Sequence, residues 1–143
     1  MTGRIVGLDP GERRIGVAVS DPTGTIASPY RYIDTKTESV GDVLREICSE
    51  RQAVLIVVGL PISLDGSEGP SAEKARAFGV SVADTTGLDV VFHDERFTSH
   101  TAESALIAGG VKRKKRKEKR DQIAAAVMLQ SYLDRRKNDA DRQ

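Results

Sequence analysis

Cysteine and tryptophan are nearly missing from this sequence. Cys48 is the only cysteine among 143 residues, which excludes an intramolecular disulfide and a zinc site built on several cysteines. Tryptophan is absent, and three phenylalanines and three tyrosines are too few for a binding surface made of many stacked rings. These absences favour a protein of a reducing compartment that does not depend on disulfide chemistry.

Long apolar runs are missing as well. No stretch approaches the roughly 20 apolar residues that cross a bilayer, and the first residues, MTGRIVGLDPG, lack the apolar core of a secretory signal. We therefore expect no membrane association and a cytoplasmic location. The length suits a single domain over residues 1–143, with a frayed tail at about 136–143, and is too short for most two-lobed kinases and dehydrogenases.

Positive charge is concentrated in one segment. The chain has a formal net charge of +1, but residues 112–120 read KRKKRKEKR and carry +7, which leaves −6 on the rest. Basic residues in such a run bind the phosphates of a polyanion without needing aromatic residues. The run therefore predicts nucleic-acid contact, with an ordinary solvated surface as the alternative.

Hydrophobic periodicity and turn residues divide the chain into strands and helices. We predict strands at residues 4–9, 15–20, 25–34, 53–59 and 89–93, and helices at 39–51, 70–83, 98–108 and 122–133. The apolar run AVLIVVG is typical of a central strand covered on both faces, and right-handed crossovers place the first, fourth and fifth strands parallel and adjacent. The predicted fold is α/β: a mixed five-stranded sheet, with an antiparallel meander followed by parallel strands, flanked by helices.

Acidic residues meet at one edge of this predicted sheet. Asp9 ends the first strand, Glu95 follows the fifth, and Asp121 opens the last helix. Ligands of open α/β sheets bind at the carboxyl ends of parallel strands. The strand positions therefore bring Asp9 and Glu95 to the edge where a site is expected, and a docking helix can bring Asp121 there.

Helical spacing indicates the direction of the Asp121 side chain. Three, four, seven and eleven residues further on lie Ala124, Ala125, Met128 and Tyr132, a stripe that must pack on the sheet. We therefore expect Asp121 to face the core side near the edge.

Three converging carboxylates repel one another unless a cation is present. Mg²⁺ takes oxygen ligands from carboxylates and phosphates, and metal-activated water hydrolyses phosphodiesters. Each acid also has an ordinary interpretation: Asp9 as part of an Asp-Pro-Gly turn, Glu95 as a partner of Arg96, Asp121 as a helix cap. Asp94 competes with Glu95, because neighbouring strand residues point to opposite faces.

Four segments in a fixed order resemble the YqgF-type proteins. These are bacterial members of the ribonuclease-H-like superfamily, described as predicted Holliday-junction resolvases and as nucleases that mature the 5′ end of pre-16S rRNA. The resemblance covers nearly the whole chain and is carried by GLDPGERRIGVAVSD at 7–21, VVGLPISLDGSEGP at 57–70, DERFTSHTAES at 94–104 and KRKKRKEKRDQIAAAVMLQSYLD at 112–134.

The resemblance implies a ribonuclease-H-like sheet and a metal-dependent nuclease that uses Mg²⁺ or Mn²⁺. It maps the catalytic and metal-binding triad to Asp9, Glu95 and Asp121, which selects Glu95 over Asp94. It also implies pre-rRNA or branched DNA as the nucleic-acid partner, with ribosomal particles as a further partner. A monomer or weak homodimer is expected. The competing functions are a Holliday-junction resolvase and a non-catalytic RNA-binding factor of ribosome assembly.

Basic residues near these acids are expected to contact the nucleic acid. A guanidinium can fork onto a phosphate, and a basic run that leads into Asp121 would deliver the backbone to the acids. The expected contacts are Arg14, Arg96, Lys112, Arg113, Lys114, Lys115, Arg116, Lys117, Lys119 and Arg120.

Replacing Lys114, Lys115, Arg116 and Lys117 with alanine should weaken binding to unrelated sequences by a similar factor, because phosphate contacts carry no base readout. The slope of log K against log[salt] should flatten by roughly 0.7 to 0.9 per contact removed. Fluorescence anisotropy over a salt series measures the slope, and an unchanged slope would mean that these charges only solvate the surface.

Overall fold

A computed structural model of the chain describes residues 3–97 and 120–141. Its elements are the strands β1 (Arg4–Pro10), β2 (Arg14–Ser20), β3 (Ala27–Asp34), β4 (Ala53–Leu60) and β5 (Val90–Asp94), the helices α1 (Val40–Glu50), α2 (Pro70–Thr86) and α3 (Arg120–Asp141), and a short 3-10 turn (Glu95–Phe97). The predicted helix at 98–108 and most of the basic run lie outside the described residues.

The sheet has the predicted topology. Its strand order is β3-β2-β1-β4-β5. The pairs β1–β2 and β2–β3 are antiparallel, whereas β1–β4 and β4–β5 are parallel. The mixed five-stranded α/β sheet is therefore confirmed. Strand β4 is interior as expected, although β1 occupies the centre of the order.

Helices cover both faces of the sheet, and β1 alternates between them. Val6 and Leu8 point into the core beneath α1 and α2, while Ile5 packs with the apolar face of α3. Period-2 alternation places Gly7 and Asp9 on the same face as Ile5. A Cβ on Gly7 would lie 2.8 Å from the Cβ of Leu129, so α3 packs directly over β1. The N-terminal turn of α3 lies near Asp9.

The last helix is longer than predicted. It runs from Arg120 to Asp141 rather than over 122–133, so residues 136–141, predicted as a frayed tail, continue the helix. Three residues of the stripe predicted from Asp121 pack on the sheet, namely Ala125, Met128 and Tyr132, whereas Ala124 is exposed. Asp121 lies at the margin of the buried face. None of the helices within the described ranges is long and apolar enough to span a membrane.

Close packing of α3 on β2 requires a glycine at position 16. A Cβ there would overlap the carbonyl oxygen of Asp121 and would lie 3.3 Å from the Cβ of Ala125. Because the obstacle is backbone, Gly16→Ala should force α3 away from β2 and lower the free energy of unfolding by about 1–3 kcal/mol. Gly69→Ala is the matched control, since nothing lies within 4 Å of its added Cβ. Urea unfolding of both variants checks this; equal midpoints would contradict the packing argument.

Candidate active site

Asp9 lies between two glycines on the α3 side of the sheet. Gly16 is its registered partner on β2. On the other side Gly59 follows Val58, the partner of Leu8 on β4. A Cβ on Gly59 would lie only 2.6 Å from Oε1 of Glu95, and a Cβ on Gly16 would overlap the backbone of Asp121. The missing side chains therefore leave the space that the two other acidic residues occupy.

Asp9 and Glu95 form a hydrogen-bonded carboxyl pair. Burial, a hydrogen bond that Glu95 donates to Asp9, and the charges of Asp9 and Asp94 together raise the pKa of Glu95 to about 8. The pKa of Asp9 is also raised, chiefly by burial, although the bond from Glu95 opposes this effect. The two residues therefore hold one proton between them near neutral pH, with Glu95 as its carrier.

Asp121 is near this pair but has a different partner. Its charge contributes to the raised pKa of Asp9. Its Oδ2 lies 3.7 Å from Nη1 of Arg14, and its side chain is 31% exposed. The Arg14 guanidinium in turn lies over the Tyr32 ring, 4.9 Å from the centroid. Asp121 is thus held at the edge of the site by an ion pair with a stacked arginine.

The metal-binding role of Asp9, Glu95 and Asp121 stays a prediction. Within residues 3–97 and 120–141, no three acidic, thiol or imidazole side chains are grouped closely enough to hold a metal ion. The structure brings Asp9 and Glu95 together and leaves Asp121 with Arg14. The physical reason is like-charge repulsion, which is relieved here by a shared proton and by a guanidinium.

The chemistry of this group nevertheless fits a divalent cation. All three side chains offer carboxylate oxygens, the ligands that Mg²⁺ and Mn²⁺ prefer. The half-buried pair retains a proton because no positive charge offsets two adjacent carboxylates. A metal cation can take the place of that proton. Asp9 and Glu95 would be the first ligands, and Asp121 would join them on release from Arg14.

Asp94 is occupied elsewhere, so geometry favours Glu95 as the neighbour of Asp9. Oδ2 of Asp94 accepts hydrogen bonds from Nη2 of Arg96 at 2.6 Å and from Nε at 3.0 Å. Oδ1 accepts a bond from the Arg96 backbone amide at 2.9 Å. This pairing orients Arg96, a predicted phosphate contact, at the same edge, with Nη1 3.7 Å from the position of a Cβ on Gly66.

The remaining predicted contacts are mostly beyond the described residues. These are Lys112, Arg113, Lys114, Lys115, Arg116, Lys117 and Lys119. Arg120, the last of the set, is the first residue of α3 and is exposed. Arg120 directly precedes Asp121 in the chain.

Sequence reasoning missed the two glycines and Tyr32. Gly16 and Gly59 were assigned to a strand and to a strand–loop boundary without a role. A glycine inside a strand pattern often marks a close approach of another group, and GVAVS and VVGLP both carried that signal. Tyr32 had no such signal, because its contact with Arg14 depends on the pairing of β2 with β3.

The strand order and the flanking helices define a ribonuclease-H-like fold. The fold is similar to Thermus thermophilus RuvC, solved in complex with a Holliday junction substrate, with a TM-score of 0.58, 15% identity, and coverage of 91% of this chain and 94% of that one. A second structure of Thermus thermophilus RuvC gives a TM-score of 0.55 at 12% identity, covering 90% and 94% of the two chains.

The chain belongs to the RuvX family, described as Holliday junction resolvase, which matches residues 3–135. A relative from Lactococcus lactis subsp. cremoris is 43% identical over 137 residues, covering 94% of this chain and 96% of its own. One from Paracoccus denitrificans is 45% identical over 135 residues, covering 94% and 85%. Both relatives carry the name "Putative pre-16S rRNA nuclease".

The shared proton makes stability depend on pH. In metal-free protein the Glu95 pKa is about 8, against 4.5 for an ordinary glutamate. The native state therefore keeps a proton that the unfolded chain loses, and stability falls as pH rises from about 4.5 to about 8. Glu95→Gln cannot ionise, so its Tm should exceed that of the wild type near pH 8 and match it near pH 4.

Thermal unfolding in EDTA across this range measures the effect. Glu46→Gln, an exposed glutamate of α1, is the control and should follow the wild type throughout. Parallel pH profiles for the wild type and Glu95→Gln would show that Glu95 does not carry the proton.

Proposed function

We propose that this protein is a metal-dependent nuclease that hydrolyses phosphodiester bonds and processes the 5′ end of pre-16S rRNA. The observation that carries the proposal is the half-buried Asp9–Glu95 pair, which retains a proton beside a third carboxylate. Burial of this kind raises the free energy of the charged forms, and carboxyl groups perturbed in this way cluster at functional sites. The names of the relatives support rRNA as the substrate.

Asp9, Glu95 and Asp121 would hold Mg²⁺ or Mn²⁺. The cation, when bound, supplies a Lewis acid that lowers the pKa of water and offsets charge on a phosphate oxygen. The protein's own contribution is to fix the carboxylates: Asp9 by its place in the central strand, Glu95 by the turn after β5, and Asp121 by the first turn of α3. Above the pKa of Glu95, both members of the pair are available as charged ligands.

Two arginines are placed to bind substrate phosphates. Arg14 is paired with Asp121 and stacked on Tyr32, and its side chain is 48% exposed. Arg96 is held by Asp94 and is 32% exposed. Arg14 is 3.7 Å from Asp121 and remains partly exposed, so its guanidinium would also be able to bind a phosphate at the same edge. The ion pair therefore keeps both groups in place until substrate arrives.

A Holliday-junction resolvase is the second candidate function. The family description, Holliday junction resolvase, favours this function. The same acids would hydrolyse the phosphodiester bonds of a junction. Phosphates alone do not distinguish RNA from DNA; contacts to a 2′-hydroxyl or to the shape of a junction do. We place rRNA first because the relatives named "Putative pre-16S rRNA nuclease" match nearly the whole chain.

One set of incubations tests both substrates. Purified protein is combined with pre-16S rRNA, free or within ribosomal particles, and with a four-way DNA junction, each with Mg²⁺, Mn²⁺ or EDTA. We expect metal-dependent cleavage of the rRNA. Asp9→Asn, Glu95→Gln and Asp121→Asn should each lower the rate by more than about a hundredfold, because each removes a ligand rather than a partner of a ligand.

Asp42→Asn is the matched control. It removes the same charge from an exposed side chain of α1 that pairs with surface Arg45 at 2.6 Å, and it should leave the rate unchanged. Binding of rRNA without cleavage under any metal condition would favour the assembly-factor alternative. Cleavage of the junction alone would favour the resolvase.

A further inference from the structure

A second concave site lies on the opposite face of the sheet from Asp9. It is a cavity of about 450 Å³ between α1, α2 and the turn that joins β1 to β2. Its deepest walls are Ile15, Leu44 and Val82, each no more than 3% exposed. A space of this size is in the range of small-ligand pockets.

The cavity and the acids share one edge of the sheet. Pro10 and Gly11, which directly follow Asp9, line it, and so does Pro61, the second residue after Gly59. Successive residues of a strand point to opposite faces. Asp9 therefore faces α3, while Pro10, one residue further on, faces the cavity. A chain laid across the β1–β2 turn can touch both at once.

The lining combines flat apolar surface with hydroxyl groups. Phe78 supplies an aromatic ring beside the aliphatic floor. Four hydroxyl side chains also line the cavity: Thr35, Ser71, Ser81 and Thr85, of which Thr35 already donates to the Arg13 carbonyl oxygen at 2.9 Å. A hydroxyl both donates and accepts hydrogen bonds, so these groups suit a ligand with apolar faces and a mixed polar edge. Nucleobases have this character, and they stack on aromatic rings with little dependence on sequence.

Charge places a phosphate outside the cavity rather than within it. Lys74 and Glu12 both line the cavity and are 74% and 93% exposed, with Nζ and Oε1 4.0 Å apart. Because Glu12 already offsets part of the charge of Lys74, the cavity attracts an anion only weakly. Lys74 can nevertheless contact a backbone phosphate that passes over the opening.

We propose that this cavity receives a nucleobase of the substrate strand, next to the phosphodiester held at Asp9. The inference rests on the proposed function, because it needs a strand whose phosphate lies at the acids. The base enters between α1 and α2, its faces packing on Phe78 and the aliphatic floor. The cavity thus positions the strand by a base that has left its stack, which favours single-stranded or opened substrate.

The first test does not depend on cleavage. The probes are adenosine and uridine, with ribose 5-phosphate as a probe that lacks the base, followed by ¹H–¹⁵N NMR. We expect the nucleosides, but not ribose 5-phosphate, to shift the amides of Gly41, Leu44 and Thr85. Ser81→Trp fills the opening from an exposed position and should abolish the shifts, whereas Ala77→Trp, exposed on the same helix but away from the cavity, should keep them.

The second test joins the cavity to the reaction. Removing single bases from an RNA substrate around the cut should identify one position where the abasic substrate raises KM by at least about fivefold, the loss expected for one stacked base. Ser81→Trp should raise KM for the intact substrate by a similar factor and add nothing for the abasic one. Ala77→Trp should behave as wild type.

The outcomes separate the two proposals. Nucleoside shifts in the cavity without any cleavage would refute the nuclease and retain a base-binding site. Normal cleavage by Ser81→Trp, additive losses in the abasic series, or nucleoside shifts confined to the acidic edge would overturn the cavity proposal and leave the nuclease intact. Thermal unfolding of both tryptophan variants confirms that they fold.

Discussion

The structure depends on the close approach of three chain segments at the end of β1. The 3-10 turn after β5 and the first turn of α3 both reach Asp9, and each passes over a position where the sheet has no side chain. Protein interiors are packed at a density close to that of organic crystals, so the space at these two positions depends on the missing side chains. Gly16 and Gly59 are therefore what allows acidic residues that are far apart in the chain to lie side by side. These two glycines therefore determine both the packing of α3 on the sheet and the electrostatics of the site.

The same crowding creates an electrostatic problem, which the protein meets in two ways. Asp9 and Glu95 share a proton, since burial disfavours two adjacent negative charges. Asp121 takes the guanidinium of Arg14 instead. Both arrangements are replaceable: a cation can take the place of the proton, and a phosphate can take the place of the carboxylate on Arg14. A site held in this way is folded before its ligands arrive and still gains electrostatic energy when they bind.

The two faces of the sheet contribute different properties to one edge. On the α3 face, acidic groups and arginines lie at the edge where we propose that a phosphate binds. On the α1–α2 face, an apolar cavity with a hydroxyl-lined opening lies beneath the same β1–β2 turn. This division follows from strand alternation, because Asp9 and Pro10 are neighbours in the chain but point to opposite faces. The proposed phosphate site and the proposed base site therefore do not compete for space.

The sequence by itself determined the sheet topology, the family resemblance and the edge where the acids lie, because periodicity, turn residues and crossover handedness are local or general rules. It left Asp94 and Glu95 equivalent until the resemblance was considered, and it predicted most of the buried stripe of α3 but not that Ala124 is exposed, since spacing gives the period of a helix more closely than its phase against the sheet. Only the tertiary structure decided that Glu95 lies beside Asp9, that Asp94 holds Arg96, and that Arg14 occupies Asp121. The Asp94–Arg96 contact is local. The Asp9–Glu95 and Arg14–Asp121 contacts join residues far apart in the chain, and they arise where burial, glycine positions and charge repulsion act together, which no single stretch of sequence encodes.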